Sequence, residues 1–413
     1  MEKVIAIIDL KSFYASCECA CRHLDIFTTP LVCVDPYRSG NSVVMSVTPF
    51  LKERYGVSNV CRKKELPDVP GMIYAVPRMS YYLTMSCKVI SIFLNYIAEE
   101  DLHVYSVDES FLNIGPYLKL YKCTAEELVM RIQKDIKDKL GLLATAGIGP
   151  NMFLAKAALD NEGKKNPPYL AHWDYEDVPT KLWKINPITK IWSISTGTSN
   201  HLAKLGIRNL RELANAPAKL LEKEFGIMGS QLQDLANGKD GSDIQDKYIP
   251  NSRSLSNGQT LIKGYYPDEL CLILREMNDD LANRLRDQNS AAGKVGLFIA
   301  YEDGTAFGKS WTMPYHTDDT NTLYDAFEDI LLTYGKDVPI RNISINYGSL
   351  KESHYKQLSF FENAEEQLKR TSLDRSLDRI RKTYGKNSVL RASSLFERST
   401  AKRRHEQIGG HRK

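Results

Sequence analysis

The apolar run Val4-Ile5-Ala6-Ile7-Ile8 ends directly on a carboxylate, Asp9, and roughly a hundred residues later Asp108 and Glu109 interrupt the segment Tyr105-Ser106-Val107-Asp108-Glu109-Ser110. So short a run closed by an acid predicts a buried strand that delivers the acid to a sheet edge. In the second segment His103, Tyr105 and Val107 share one face and Val104 and Ser106 the other, and Phe111 and Leu112 resume the pattern, which predicts a hairpin with its turn at the acids. Three carboxylates brought together repel one another and raise one another's pKa, so such a cluster needs cations or basic partners. Hard divalent ions suit it. Magnesium takes oxygen ligands, and two ions about 3.5–4 Å apart can activate a hydroxyl while neutralising a phosphate. From spacing alone, an ordinary strand-end Asp and an exposed acidic turn remain an open alternative.

The surrounding residues carry more. Asp9-Leu10-Lys11-Ser12-Phe13-Tyr14-Ala15-Ser16, together with Tyr105-Ser106-Val107-Asp108-Glu109-Ser110-Phe111, resembles the Y-family DNA polymerases, and most closely their UmuC-like branch as found in Gram-positive bacteria. The resemblance runs along nearly the whole chain. It implies an α/β multidomain right-hand polymerase with palm, small fingers, a helix–hairpin–helix thumb and an α+β little finger. It also implies that Asp9, Asp108 and Glu109 are catalytic and hold two Mg2+ ions, joined by the backbone carbonyl of Leu10. Phe13 and Tyr14 would lie at the nucleotide, with Tyr14 under the deoxyribose, where its bulk excludes a 2′-hydroxyl.

With 413 residues, 42% of them apolar and 26% charged, the chain can bury several cores and suggests two to four domains. The N-terminal apolar run is too short for a signal peptide or a membrane span, so the expectation is a cytoplasmic protein with no membrane partner. Eight cysteines without paired Cys-x-x-Cys motifs favour reduced thiols. Cys17, Cys19 and Cys21 diverge on a helix and are expected as core thiols. From Gln367 onward fourteen Lys or Arg face four Asp or Glu, a net +10 on a chain whose total is +4. A basic tail on a mildly acidic body suggests a polyanion partner, although such tails are often only solvated.

Along the chain, the pattern predicts a helix over 14–24, strands over 31–34 and 40–47, and a basic, proline-marked insertion over 50–77. A helix over 80–98 follows, then a helix over 125–140 whose Leu128, Ile132 and Ile136 face a sheet. The resemblance divides this into palm (1–24 and 77–171) and fingers (25–76). The stretch Gly147-Ile148-Gly149-Pro150-Asn151 is a glycine-rich strand exit that could hold phosphate, weak evidence alone. By the resemblance Lys156 contacts the incoming triphosphate. Lys52 is the other phosphate candidate, with Arg54 near enough to compete, and a solvated helix face is the alternative for both lysines.

Residues 172–240 resemble the thumb. Ile191-Trp192-Ser193-Ile194-Ser195-Thr196-Gly197, ahead of Leu205-Gly206-Ile207, resembles a helix–hairpin–helix whose amides hold a DNA phosphate. The family's hairpin reads Gly-Ile-Gly where this chain has Ser193-Ile194-Ser195, so Gly197 is expected to take over the turn and, with Gly206, to approach DNA. A simple helical packing module remains the alternative. Little finger is expected over 241–350, opening on Arg253-Ser254-Leu255-Ser256. Strands over 294–301 and 341–347, with helices over 269–288 and 323–333, predict a four-stranded sheet with two helices on one face. Its other face would track the DNA backbone through Arg253, Ser254 and Ser256. Residues 351–413 form the basic tail, expected to be largely mobile. In it Gln357-Leu358-Ser359-Phe360-Phe361 resembles the peptide by which bacterial polymerases dock into the sliding clamp. A last sheet strand is the alternative there.

The resemblance thus implies a template-directed, low-fidelity translesion DNA polymerase of the SOS and DNA-repair type. Its partners would be primer–template DNA, deoxynucleoside triphosphates and the bacterial sliding clamp, with a RecA-type filament or an accessory subunit also allowed. Two other readings stay open: a nucleotidyl cyclase-like palm enzyme, and a non-catalytic, clamp-bound DNA-binding subunit.

Overall fold

The computed structural model describes residues 3–36, 42–58, 61–246, 249–353 and 363–413. The chain forms two compact units that divide between Lys247 and Tyr248, shortly before the Arg253-Ser254-Leu255-Ser256 segment expected to open the little finger.

The first unit is built on a five-stranded sheet whose central strand is β1 (Ile5–Leu10). Every residue of that strand except Asp9 is buried, as an apolar run covered on both faces requires. It lies antiparallel to the acidic strand (Glu109–Asn113) on one side and to Ala144–Gly149 on the other. The outer strands are Leu102–Val104 and Leu170–His172, the latter the parallel neighbour of Ala144–Gly149. The helix Ala125–Leu140 has the bounds expected. Thr124 and Glu127 form its capping box, Gly141 ends it at φ 68°, and Leu128, Ile132 and Ile136 are buried.

The glycines of Ala144–Gly149 serve packing. A Cβ on Gly147 would stand 2.1 Å from the carbonyl oxygen of Ala155, and one on Gly149 2.7 Å from the Ala155 nitrogen. The helix Met152–Ala158 can therefore lie directly against the strand, and the phosphate-cradle reading of this glycine-rich exit gives way to helix–strand contact.

Helix α1 (Phe13–Ala20) follows β1 at once and is shorter than expected. The segment 25–76 carries a three-stranded sheet, Ser46–Val47, Leu31–Cys33 and Ile73–Ala75, with its own core of Val32, Val34, Val47, Leu51 and Val69. The strand expected over 40–47 is reduced to Ser46–Val47 among the described residues. Helix α2 (Met79–Phe93) brings the chain back to the main sheet. Short helices, among them α3 (Thr196–Lys204), Leu210–Ala214, Ala218–Phe225 and Ile227–Ala236, close the unit. They pack around Leu182, Ile188, Ile194, Leu202, Leu213 and Leu232. Of the cysteine triplet, Cys17 and Cys19 are buried and Cys21 is exposed.

The second unit is an antiparallel four-stranded sheet in the order Ala306–Thr317, Ser290–Tyr301, Ile340–Glu352, Leu255–Tyr265. Helices α4 (Pro267–Asp287) and α5 (Thr320–Tyr334) bury Leu274, Met277, Leu281, Phe327 and Ile330 against one face. This is the expected architecture, with the last strand continuing past the boundary at 350.

The tail corrects an expectation. Over 363–413 it is not a mobile appendage: helix α6 (Ala364–Tyr384) and the segments after it fold onto the second unit. Arg391 makes a bidentate pair with Asp279 at 2.6 and 2.9 Å, and Arg404 and His405 both reach Asp280. In the opposite sense, Arg286 of α4 pairs with Asp374 and Asp378 of α6. The excess positive charge that suggested a polyanion partner is partly consumed by acids on α4, an intrachain partner that net charge cannot reveal.

Candidate active site

Strand register brings the first acids together. Asp9 is the cross-strand partner of Glu109 on one side and of Thr145 on the other, so the Asp9 and Glu109 side chains leave the same face side by side. Thr145 Oγ1 stands 3.3 Å from Asp9 Oδ1. Asp108 lies in the turn between the strands, where its carboxylate accepts a 2.8 Å hydrogen bond from Ser106 Oγ and its carbonyl accepts from the Leu10 amide.

Two lysines compensate the acids. Lys156 Nζ, on the helix pressed against the glycine strand, lies 2.6 Å from Glu109 and 3.2 Å from Asp160. Lys164 Nζ lies 3.2 Å from Asp9, 3.4 Å from Glu109 and 2.9 Å from Asp160. Lys156 thus sits within the carboxylate cluster. Lys164 and Asp160 are members of the site that sequence reasoning missed; the charged, proline-containing stretch around Lys164 looks like an ordinary solvated loop.

Burial raises Asp9 to about 7, Lys164 working against the shift and the Glu109 and Asp108 charges adding to it. Burial also pushes Glu109 upward, but hydrogen bonds from Asp9 and Lys156 outweigh it and hold the group below the usual carboxylate range. The two carboxyls therefore titrate as a pair, Asp9 pushed up and Glu109 held down. Lys164 is driven above the usual lysine range by Asp9 and Asp160 in spite of its burial.

A second basic group lies beside the first. Burial lowers both Lys11 and Lys52; Lys164 depresses each further, and Lys11 adds to the effect on Lys52. Lys11 Nζ donates to the carbonyl of Lys164 and stands over the Tyr169 ring. Arg54, the alternative to Lys52, stacks on Phe50. Mutually repelling, partly buried ammoniums favour a polyanion among them.

Phe13 is buried, and Tyr14, half-buried, packs on it with ring centroids 5.5 Å apart. Among the described residues no three His, Cys, Asp or Glu side chains stand grouped as a metal cage. The donor chemistry nevertheless fits a hard cation: Asp9 and Glu109 are paired oxygen donors, and the lysines supply the positive charge they require.

In the thumb-like segment, Ser193 itself makes the turn at φ 77°. Gly197 does not take it over, because it lies within α3, which Ser195 caps by accepting from the Thr198 amide. Gly206 has φ 82° and ends that helix turn. In the second unit Arg253, Ser254 and Ser256 are exposed. Ser256 is registered with Asn346, and Asn346 with Gly296, in a row of small or polar residues across the face opposite the helices. The peptide from Gln357 to Phe361 lies outside the described residues.

Residues 8–160 match the impB/mucB/samB family, and residues 252–360 match that family's C-terminal domain. The chain is 35% identical to UvrX of Bacillus subtilis (strain 168) over 99% of its own length and 98% of that protein's. It is 31% identical to DNA polymerase IV 2 of the same organism, covering 100% of this chain and 99% of the other. Among solved structures, a Y-family DNA polymerase chimera of Dbh and Dpo4 has the same fold, with TM-score 0.68 at 21% identity over 84% of this chain and 98% of that one.

Proposed function

The chain belongs to the impB/mucB/samB family, the UmuC-like branch of the Y-family translesion DNA polymerases, and from that premise we propose that Asp9, Asp108 and Glu109 catalyse template-directed deoxynucleotide transfer to a primer 3′-hydroxyl. The observation that carries the site assignment is the register that makes Asp9 and Glu109 cross-strand partners, with Lys156 and Lys164 paired to them and Lys11 and Lys52 within electrostatic reach of Asp9. The family's chemistry uses divalent metal, and magnesium is the ion these oxygen donors suit. Two such ions, held by Asp9, Asp108, Glu109 and the Leu10 carbonyl, would activate the 3′-hydroxyl and neutralise the charge that builds on the departing pyrophosphate.

The chain's own residues supply the rest. Asp9 would hold a divalent ion as a carboxylate, in place of its pairing with Lys164. Lys52, Lys11 and Lys156 receive the triphosphate, whose charge relieves the repulsion among Lys11, Lys52 and Lys164. Tyr14 closes the space below the sugar. Residues 1–24 and 77–171 serve as palm, 25–76 as fingers, 172–240 as thumb and 241–350 as little finger. In the thumb Gly206, and in the little finger Arg253, Ser254 and Ser256, touch the DNA backbone without reading bases. Gln357 to Phe361 dock in the sliding clamp. The protein acts in the cytoplasm; no helix among the described residues is long and apolar enough to cross a membrane.

Primer extension on undamaged and abasic templates tests the proposal. The parental protein extends both in magnesium, while Asp108→Ala and Glu109→Ala abolish extension and keep most DNA affinity. Near-normal extension by both variants would overturn the site, and cyclic-nucleotide production without extension would favour a cyclase.

A further inference from the structure

Helix α1 presents Tyr14 and Glu18, four residues apart and so one above the other on a single face. Across from them stand Arg78, the residue that caps α2, and Tyr82, again four residues apart. The two pairs interlock. The Tyr82 ring lies against the Tyr14 ring with centroids 4.8 Å apart and planes inclined by 35°. Its hydroxyl donates to Glu18 Oε1 at 2.8 Å. Arg78 closes a fork on the same carboxylate, Nε to Oε1 and Nη2 to Oε2, each at 2.9 Å, and Arg22 adds a further pair. Both Glu18 and Tyr82 are fully buried.

A fully buried carboxylate is costly unless each lone pair is used, and this one accepts from one phenol and two guanidiniums. What it holds in place is a tyrosine ring whose flat side is the floor beneath Tyr14. An aromatic ring pinned at its hydroxyl end cannot swing away, so its neighbour has one available plane. Tyr14, by contrast, has one side free of the core.

We propose that Tyr82, anchored by Glu18 and Arg78, is a positioning residue for sugar discrimination: it fixes the plane of Tyr14 and thereby the width of the space available to a 2′-hydroxyl. This rests on the reading of Tyr14 as the residue under the sugar. Discrimination then depends on a residue that never touches the nucleotide, because a barrier made of one ring's bulk is only as sharp as that ring's position is fixed.

The test compares kcat/KM for a ribonucleotide with that for the matching deoxynucleotide, a ratio that a reduced fraction of folded protein leaves unchanged. Tyr82→Leu should raise the ribonucleotide-to-deoxynucleotide ratio about tenfold, mainly through a lower ribonucleotide KM. Tyr82→Phe keeps the flat face but loses the hydroxyl anchor to Glu18, and should raise the ratio by a smaller factor, about threefold. If the Leu variant does not fold, Tyr82→Met fills the volume without a flat face and should shift the ratio in the same direction. Tyr14→Ala is measured in parallel. A relaxed ratio in Tyr14→Ala with a parental ratio in the Leu or Met variant overturns the positioning role alone. A parental ratio in Tyr14→Ala overturns the sugar-gate reading itself, and the positioning role with it.

Discussion

The ammonium of Lys164 lies 3.2 Å from Asp9 Oδ2 in the same cluster as Glu109 and Asp160, so the protein carries its own cation at the acids. Lys164→Ala should destabilise the metal-free protein by about 1–3 kcal/mol, a range discounted for partial exposure of the side chain. Added magnesium should then raise the melting temperature more in the variant than in the parent. Equal magnesium responses would refute the idea that Lys164 substitutes for metal charge.

Asp9→Asn should separate activity from stability. Extension should fall by at least about a hundredfold, the scale of losing a group that stabilises transition-state charge. The metal-free variant should be as stable as the parent or more so at neutral pH. Asp9 has a raised folded pKa, so its contribution is full below the ordinary Asp value and fades as pH rises through about 7. Urea melts of metal-free protein from pH 4 to 8 should show that decline in the parent and less of it in Asp9→Asn.

Ser193→Gly should improve the thumb turn. A side chain at φ 77° is strained, and glycine relieves this at some cost in unfolded-state entropy, for a net gain on the order of 0.5–1 kcal/mol. Losing the Cβ also opens the backbone to a phosphate. DNA affinity by fluorescence anisotropy should rise; a weaker complex would argue that Ser193 contacts DNA itself.

The docked C-terminal segment should detach in acid. Hydrogen bonding to His405 and the charges of Arg404 and Lys386 outweigh burial and hold Asp280 well below the ordinary carboxylate range. Its stabilisation is present above the ordinary Asp pKa of about 3.9 and is lost as pH falls below it. Limited proteolysis between pH 5 and 2.5 should show the parental segment becoming cleavable. Asp280→Asn should be cleavable already at pH 5, since Arg404 and His405 then lose their charged partner.

Replacing Leu358, Phe360 and Phe361 together by Ala should abolish clamp-stimulated synthesis, a loss of a few kcal/mol typical of clustered apolar anchors. Synthesis without the clamp should persist. Unchanged clamp affinity in a pull-down would dismiss the peptide.

What was legible in the sequence followed from local pattern. The apolar run before Asp9, the helical spacing of Leu128, Ile132 and Ile136, and the strand over 294–301 are each read from a few neighbouring residues, and those elements are present. Lys164 and Asp160 were hidden because their importance comes from distant partners, and a lysine in a polar loop has no local mark of burial. The tail was misjudged for a related reason: Arg391 and Arg404 find Asp279 and Asp280 more than a hundred residues away. The turn at Ser193 was assigned to Gly197 because glycine is the cheaper residue there, yet the chain tolerates serine.

Asp9, Glu109 and Thr145 face one another only because three strands from widely separated parts of the chain are in register. Pairings that close loops of that length are slow and late compared with helix formation. A slip of one residue in either pairing would turn Asp9 or its partner to the opposite face of the sheet. On the proposed assignment, primer extension therefore requires both pairings to be in register at once, so the site is complete only when the sheet is closed.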